Sequence, residues 1–244
     1  MIGGRGVKTY LSRSELQQVR AMAMNQLANG LASANRLEES VSVKEANLSM
    51  LRRLGVPKEQ VLAAQGSLAV TYQMCGRFDH ASSMWQDVYS GILMVHGEEY
   101  PPTIQAASNY ASSLAELKRY DEARSLLKKW MPIAQRVVGK SNELTLKMRV
   151  VYAAARYKAE NATLDDLREA VTTLEEIQRT ARRVFGGAHP FAVLVARDLQ
   201  NAQRKITLQE ELEDTGFSSL AEAKEVLNAM RAMTTGDNSG PGGA

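Results

Sequence analysis

The sequence repeats itself at an interval of 42 residues, and this period limits the possible fold more than any other feature does. Segment 67–81 aligns with segment 109–123, and in both an Arg-aromatic-Asp triplet is followed after one residue by alanine. A weaker copy lies 41 residues upstream, and later copies follow at 42 and 47 residues. A fixed period of roughly 20–50 residues is typical of chains built from stacked supersecondary units, which cannot bury their apolar faces alone. The spacing therefore predicts an array of repeats.

Each repeat is predicted to contain two α-helices joined by a tight turn. Apolar residues recur at helical spacing in both halves, and Pro57 and Pro190 suit a first helical turn, where the missing N–H is harmless. Ser12 and Ser219, each with a glutamate three residues later, fit capping boxes. Four glycines that follow amphipathic runs fit left-handed helix C-caps: Gly55, Gly97, Gly139 and Gly186.

Two neighbouring repeats resemble tetratricopeptide repeats (TPRs) in their pattern of small, large and turn residues. The matching positions are Leu68, Ala69, Tyr72, Gly76, Phe78 and Ala81 in one copy, and Tyr110, Ala111, Leu114, Tyr120 and Ala123 in the next. The 42-residue period and the Gly-x-x-His-Pro element at 186–190 are similar to the kinesin light chain subclass. The resemblance covers about residues 12–207. It implies an all-α, right-handed α-solenoid of TPR-like helix pairs that acts in protein–protein interaction.

The chain is predicted to have four parts. A flexible N-terminus of residues 1–11 precedes the repeat array of residues 12–207, whose units start near residues 14, 56, 98, 140 and 187. Residues 208–233 carry an apolar stripe and are predicted to cap the last repeat, as the terminal units of solenoids do. The final segment, 234–244, is rich in glycine, a composition typical of a disordered tail.

Composition and charge disfavour several functional classes. There are 30 basic and 27 acidic side chains, so the net charge of +3 makes neither nucleic acid nor membrane an obligatory partner. A single cysteine cannot form an internal disulfide, which favours a reducing, cytoplasmic location. We find no apolar run long enough for a secretory signal or a membrane span.

No sequence motif indicates catalysis or metal binding. The three histidines are dispersed, and the metalloprotease, nucleophile-elbow and dinucleotide glycine patterns are missing. Cys75 has no histidine close in sequence that could activate it, and Trp85 and Trp130 lie at core spacing on second helices. We therefore predict that the protein is not an enzyme and uses no catalytic residue, cofactor or metal.

In tetratricopeptide repeats the first helix of each pair lines a concave groove, and the resemblance implies which positions of this chain face it. These positions are mostly amides in the first three units and mostly basic in the last two. Amide side chains can bond both the N–H and the C=O of an extended peptide. The candidate peptide-binding residues are Asn25, Asn29, Gln73, Gln105, Asn109, Ser112, Lys147, Tyr157, Lys158, Arg197, Asn201 and Arg204, accompanied by Ser67 and Lys205.

The basic residues of the last two units are predicted to converge, so the expected partner is an extended, acidic segment of another protein. Two alternatives stay open: the polar residues form only a solvated face, or the chain is a structural homo-oligomer that associates through the groove or the terminal helix. A nucleic-acid-binding repeat is disfavoured, because the aromatic residues do not recur at one groove position per unit as base stacking would need.

Overall fold

The computed structural model describes residues 12–215 and Val226, and all regular structure in this part of the chain is α-helical. The predicted all-α repeat architecture is confirmed. The helices of the described residues are α1 (Arg13–Ser33), α2 (Leu37–Leu54), α3 (Lys58–Met74), α4 (Phe78–His96), α5 (Pro101–Glu116), α6 (Tyr120–Val137), α7 (Glu143–Tyr157), α8 (Leu164–Phe185) and α9 (Pro190–Thr215). In the described part of the chain, α1 to α6 pair in sequence into three hairpins, and α7, α8 and α9 follow.

Parts of the predicted domain organisation lie outside the described residues. These parts are the N-terminal segment 1–11, the capping box at Ser219, most of the cap at 208–233 and the tail at 234–244. The predicted boundary between residues 207 and 208 falls inside α9, which continues without a break to Thr215.

The helix ends show which of the predicted helix caps are present. The Glu15 N–H donates to Ser12 Oγ over 3.2 Å, and the Ser12 N–H donates to the Glu15 carboxylate over 2.6 Å, so the first predicted capping box is confirmed. Gly55 ends α2 in the left-handed conformation, as predicted. Gly97 and Gly186 also have positive φ, but their ψ angles are −173° and 155°, so the left-handed caps predicted there are wrong. The chain leaves α4 and α8 in an extended conformation that is open almost only to glycine.

The turn inside each of the first three hairpins uses a left-handed residue that the glycine pattern did not predict. Asn35, Gly76 and Lys118 have φ values of 59°, 72° and 60°. In each turn the N–H of the following arginine reaches back to a carbonyl of the preceding helix, which is the bond that closes a Schellman motif. Three different residue types therefore make the same reversal, and lysine makes it at a steric cost.

The helices that precede Val151 form one compact unit. Within it each helix from α1 to α6 packs against the next one. Ala28, Ala69 and Ala111 occupy the same position in the three first helices, α1, α3 and α5, and all are fully buried. A methyl group at this position allows neighbouring helices to approach closely, whereas a larger side chain would overpack the interface.

The two tryptophans belong to the core of this unit, as their spacing predicted. Trp130 has no exposed surface, and its indole N–H donates to the Tyr89 hydroxyl over 3.2 Å. Trp85 is nearly as buried, and its indole N–H donates to Gln73 Oε1 over 3.0 Å. Each ring therefore contributes apolar area while its polar atom is satisfied.

From Tyr152 onward the chain forms a second compact unit, which contains the end of α7, α8 and α9. In this unit α8 packs against α9. A capping box between Thr163 and Asp166 begins α8, and Arg156 donates to the same Asp166 carboxylate and pairs with Glu169. One half-buried guanidinium thus ties the end of α7 to the first turn of α8.

Candidate functional site

A pocket of about 400 Å³ opens between α1 and α3, the first helices of two consecutive hairpins. Its floor is formed by buried residues of α2, which lies behind both helices. The lining combines small apolar side chains with amides and a hydroxyl, and it includes no charged residue. The lining residues are Gln18, Ala21, Met22, Asn25, Asn47, Leu51, Gln60, Ala63, Ala64 and Ser67.

Two side chains that the resemblance assigned to the groove meet at this pocket. The Ser67 hydroxyl of α3 donates to Asn25 Oδ1 of α1 over 3.3 Å. The two residues are 42 positions apart, which is one repeat period. The repeat therefore brings equivalent faces of two helices together, as the groove interpretation requires.

Two polar residues of α2 lie where an apolar stripe would be expected. Asn47 is 5% exposed, and its Oδ1 atom has no hydrogen-bond partner. Lys44 is 6% exposed, and its ammonium group donates to the Ser67 carbonyl over 3.1 Å and to Thr71 Oγ1 over 2.8 Å. Burial lowers the pKa of Lys44, because the charged form loses hydration.

Other predicted groove residues of the first compact unit, which ends at Val151, do not gather into one cluster of available side chains. Asn29 is exposed but does not line the pocket. Gln73 is half-buried and uses its oxygen to accept the hydrogen bond from Trp85. Lys147 is exposed, and its ammonium group pairs with the Glu143 carboxylate one helical turn earlier, at 2.8 Å.

On α5 the predicted groove residues lie one helical turn apart. The Gln105 amide donates to Asn109 Oδ1 over 3.0 Å. Gln105 is exposed, whereas Asn109 and Ser112 are half-buried. These side chains keep free hydrogen-bonding capacity, because an amide carries two donors and two acceptor lone pairs.

In the second unit the structure corrects the predicted site at Tyr157. This residue is 4% exposed, and its hydroxyl lies 3.5 Å from Asp198 Oδ1, so it belongs to the core of the unit and cannot line a surface. Burial raises the pKa of Tyr157, and burial also raises the pKa of Asp198. The pair therefore excludes water and contributes packing.

Lys205 is likewise not available to a ligand. Its ammonium group donates to the Tyr157 carbonyl over 2.7 Å and to the Ala159 carbonyl over 2.9 Å. These two carbonyls lie at the C-terminal end of α7 and just beyond it, where backbone acceptors have no partner within the helix. Lys205 thus caps α7 from α9, and burial lowers its pKa.

Four of the predicted residues in the second unit remain at its surface: Lys158, Arg197, Asn201 and Arg204. Lys158 and Arg197 lie close enough to Asp198 to lower its pKa against the effect of burial. Arg204 is seven residues beyond Arg197, two turns along the same face of α9. The surface of this unit therefore carries three exposed positive charges, two of which lie near the buried carboxylate of Asp198.

Asn47, Lys44 and Leu51 were not predicted from the sequence as site residues. The sequence did contain a signal for them. Positions 41, 44, 48 and 51 have the spacing of a buried helical stripe, and Lys44 is the polar residue among three apolar ones. A polar residue on a buried stripe indicates either a satisfied core group or the floor of a site. Only the packing of α3 against α2 distinguishes the two.

The described residues include no group of three or more His, Cys, Asp or Glu side chains that could hold a metal ion. Cys75 ends α3 in a half-buried position, and burial raises the pKa of its thiol, which keeps it in the less nucleophilic form. None of the helices in the described part is long and apolar enough to cross a membrane.

Comparison with known proteins identifies the architecture. Residues 103–142, which span most of α5 and all of α6, match the tetratricopeptide repeat family model. No curated protein matches the sequence. Among solved structures, the chain is similar to a variant of the nearly identical TPR-like repeats of a candidate kinesin light chain from Podosopora anserina, with 19% identity over 88% of this chain and 96% of that one and a TM-score of 0.63.

Two further solved structures are similar in fold. BtubC (BKLC) from P. vanneervenii is 15% identical over 93% of this chain and 87% of that one, with a TM-score of 0.61. The Rap conjugation gene regulator of plasmid pLS20, solved in complex with the Phr* peptide, is 12% identical over 93% of this chain and 67% of that one, with a TM-score of 0.53. At these identities the likeness concerns the fold.

Proposed function

Because the chain has the fold of kinesin light chain-like tetratricopeptide repeats, we propose that it is a non-enzymatic scaffold that binds an extended segment of a partner protein. The segment lies against first helices of the repeats, and its side chains are acidic. The pocket between α1 and α3 is the observation on which the proposal depends.

The pocket suits a peptide for a physical reason. Its open mouth carries several amide side chains, including Gln18, Asn25 and Gln60, and amides serve the donors and acceptors of an extended backbone alike. Its apolar walls offer area to one partner side chain. The similar fold of the Rap regulator was solved with a bound peptide, which supports the capacity of such helical repeats to hold one.

Three exposed basic side chains of the second unit favour an acidic partner. Lys158, Arg197 and Arg204 are exposed, whereas the neighbouring carboxylate of Asp198 is buried and has a raised pKa. Exposed charge pairs contribute only about 0.2–1 kcal/mol each. The attraction should therefore accelerate encounter and select the partner more than it determines affinity.

A charge-reversal experiment tests the proposal. An array of peptides with graded net charge is probed with the whole chain, and the peptides that bind are then measured in solution. The double variant Lys158→Glu with Arg204→Glu should lose most of the binding to acidic peptides, and added salt should weaken binding to the wild-type chain, since screening shortens to about 3 Å at 1 M.

The matched control reverses two exposed charges on second helices, Lys128→Glu on α6 with Arg183→Glu on α8. It changes the net charge by the same amount and should leave binding unchanged. Equal loss in both double variants, or capture that does not depend on salt, would contradict the assignment of the partner to the first helices.

Self-association is the second candidate function, and one observation favours it. Leu16, Val19 and Leu27 lie along one face of α1 and are 53%, 52% and 57% exposed. Light scattering of the chain over a concentration series, compared with the variant Leu16→Gln with Leu27→Gln, tests it. A monomer at all concentrations would exclude the homo-oligomer.

A further inference from the structure

Asn47 lines the α1–α3 pocket, and its side-chain oxygen is buried without a hydrogen-bond partner. We propose that the pocket takes the uncharged primary amide of an asparagine or glutamine side chain of the partner segment. The proposal extends the groove function proposed above by naming the group that one subsite recognises. It depends on Asn47, the lining of the pocket and Lys44.

Asn47 is the first step of the argument. Its Oδ1 atom is buried without a partner, and leaving a buried acceptor unsatisfied costs about 1–3 kcal/mol. Asn47 also lines the pocket. The terminal torsion of an asparagine is broad, so the amide can rotate and present its oxygen to a donor in the pocket. A ligand that brings an N–H group to this position satisfies the acceptor.

The electrostatics of the site exclude charged groups. A carboxylate has only acceptors, so it leaves Asn47 Oδ1 without a donor, and the apolar walls would remove its hydration. An ammonium group would add a second cation near Lys44, whose buried ammonium bonds the Ser67 carbonyl in the pocket wall over 3.1 Å. The lining itself offers no charged side chain to pair with either ion.

A primary amide fits the remaining groups. Its N–H₂ donates to Asn47, and its carbonyl accepts from an amide at the mouth, where Gln18 and Gln60 are both exposed. Its methylene stem lies against Leu51 and the methyl groups of Ala63 and Ala64. A hydroxyl of similar reach could also donate to Asn47, but it has only one donor. The amide has two donors and a separate carbonyl acceptor.

Three small probes of one shape test the proposal on the isotope-labelled full chain by NMR titration: cyclohexanecarboxamide, cyclohexanecarboxylate and cyclohexylmethylammonium. The amide should shift the backbone signals of Asn47, Ala64 and Ser67 in a saturable way. The two ions should bind about tenfold more weakly, which is the contribution of one neutral hydrogen bond. Equal affinity for the amide and the carboxylate, or no saturable shift by the amide, would overturn the proposal.

Variants separate recognition from folding. Asn47→Leu removes the acceptor, and the amide probe should lose its tenfold advantage over the carboxylate. Thr103→Val is the matched control, because Thr103 Oγ1 is the other buried side-chain atom without a partner among the described residues, and it does not line the pocket. Both substitutions remove an unsatisfied polar atom, so both should keep or raise the melting temperature, whereas only Asn47→Leu should change probe binding.

A preference for the amide that persists in Asn47→Leu, in a variant that melts like the wild-type chain, would also overturn the proposal. If Asn47→Leu does not fold, Asn47→Asp provides the second test. Its carboxylate should make the pocket bind the ammonium probe more tightly than the amide probe. The groove function is judged separately by the charge reversals at Lys158 and Arg204, which lie outside the pocket. Failure of the subsite and failure of the scaffold function are therefore distinguishable.

Discussion

Lys44 on α2 donates a hydrogen bond to Thr71 on α3 over 2.8 Å, and the bond joins the first hairpin to the second. The ammonium group reaches across the interface between two repeats and also bonds the Ser67 carbonyl. A buried cation thus crosslinks the helices that form the wall and floor of the pocket. Its desolvation cost makes the stability of this interface depend on pH.

We expect the free energy of unfolding to rise with pH because of Lys44. Burial holds its pKa in the folded state below the ordinary value of 10.5, so between the lowered pKa and 10.5 the unfolded chain binds more protons. Denaturant titrations of the wild-type chain and Lys44→Met at several pH values check this. The free energy of unfolding of the wild-type chain should rise relative to that of Lys44→Met as pH rises from the lowered pKa to 10.5. A difference between the two chains that does not change with pH would contradict the prediction. Lys128→Met, at an exposed position of α6, is the control.

Opposite effects are expected at two equivalent turn positions. Gly76→Ala should lower the free energy of unfolding by about 1–2 kcal/mol, the cost of a left-handed residue with a Cβ atom. That Cβ would meet no atom within 4 Å, so the effect comes from the backbone alone. Lys118→Gly should be neutral or raise stability by up to about 1 kcal/mol, because it removes the same strain from the next hairpin but adds freedom to the unfolded chain. Thermal melts that move in the same direction for both variants would exclude this explanation.

Overpacking should test the close contact between the paired helices of a hairpin. Ala69→Leu and Ala111→Leu each place three extra carbon atoms at a fully buried position and should cost about 1–3 kcal/mol. Ala63→Leu is the control, because Ala63 lies on α3 but is exposed at the mouth of the pocket. Unchanged midpoints at both buried positions would show that the repeat register is wrong.

Tyr157 is expected to affect stability and not partner binding directly. Tyr157→Ala removes a large, buried aromatic side chain and should cost about 3–5 kcal/mol, as other aromatic truncations in cores do. Arg204→Ala, at an exposed position of the same unit, should change stability by no more than about 0.5 kcal/mol but should weaken the capture of acidic peptides. Denaturant unfolding and peptide titration of both variants provide the comparison.

Local chemistry determined much of what the sequence predicted correctly. The capping box of Ser12, the left-handed cap at Gly55 and the burial of Trp130 follow from residue type and spacing within one helix or one turn. The repeat period extended these local rules along the chain, because equivalent residues one period apart occupy equivalent positions. Asn25 and Ser67 meet for this reason.

The incorrect predictions concern residues whose role depends on another element. Gly97 and Gly186 leave their helices in an extended conformation, whereas Gly55 also precedes a new hairpin and is left-handed, so a glycine at the end of a helix does not by itself determine the conformation. Tyr157 occupies a groove position by its count along the repeat, but it is the last residue of α7, and its side chain packs beside Asp198 of α9. The position of a residue within the repeat does not predict that packing.

The sequence by itself therefore determined that the chain forms helical hairpins, where the repeats start to within a few residues, and which faces are apolar. These properties depend on interactions between residues a few positions apart, and the 42-residue period repeats them. Only the tertiary structure decided which polar residues are available. Lys44 is buried and Lys205 is half-buried, although both are basic, and Asn47 lines a pocket while its side-chain oxygen is buried without a partner. Solvation depends on what packs over a side chain, and for these three residues the covering atoms come from other helices.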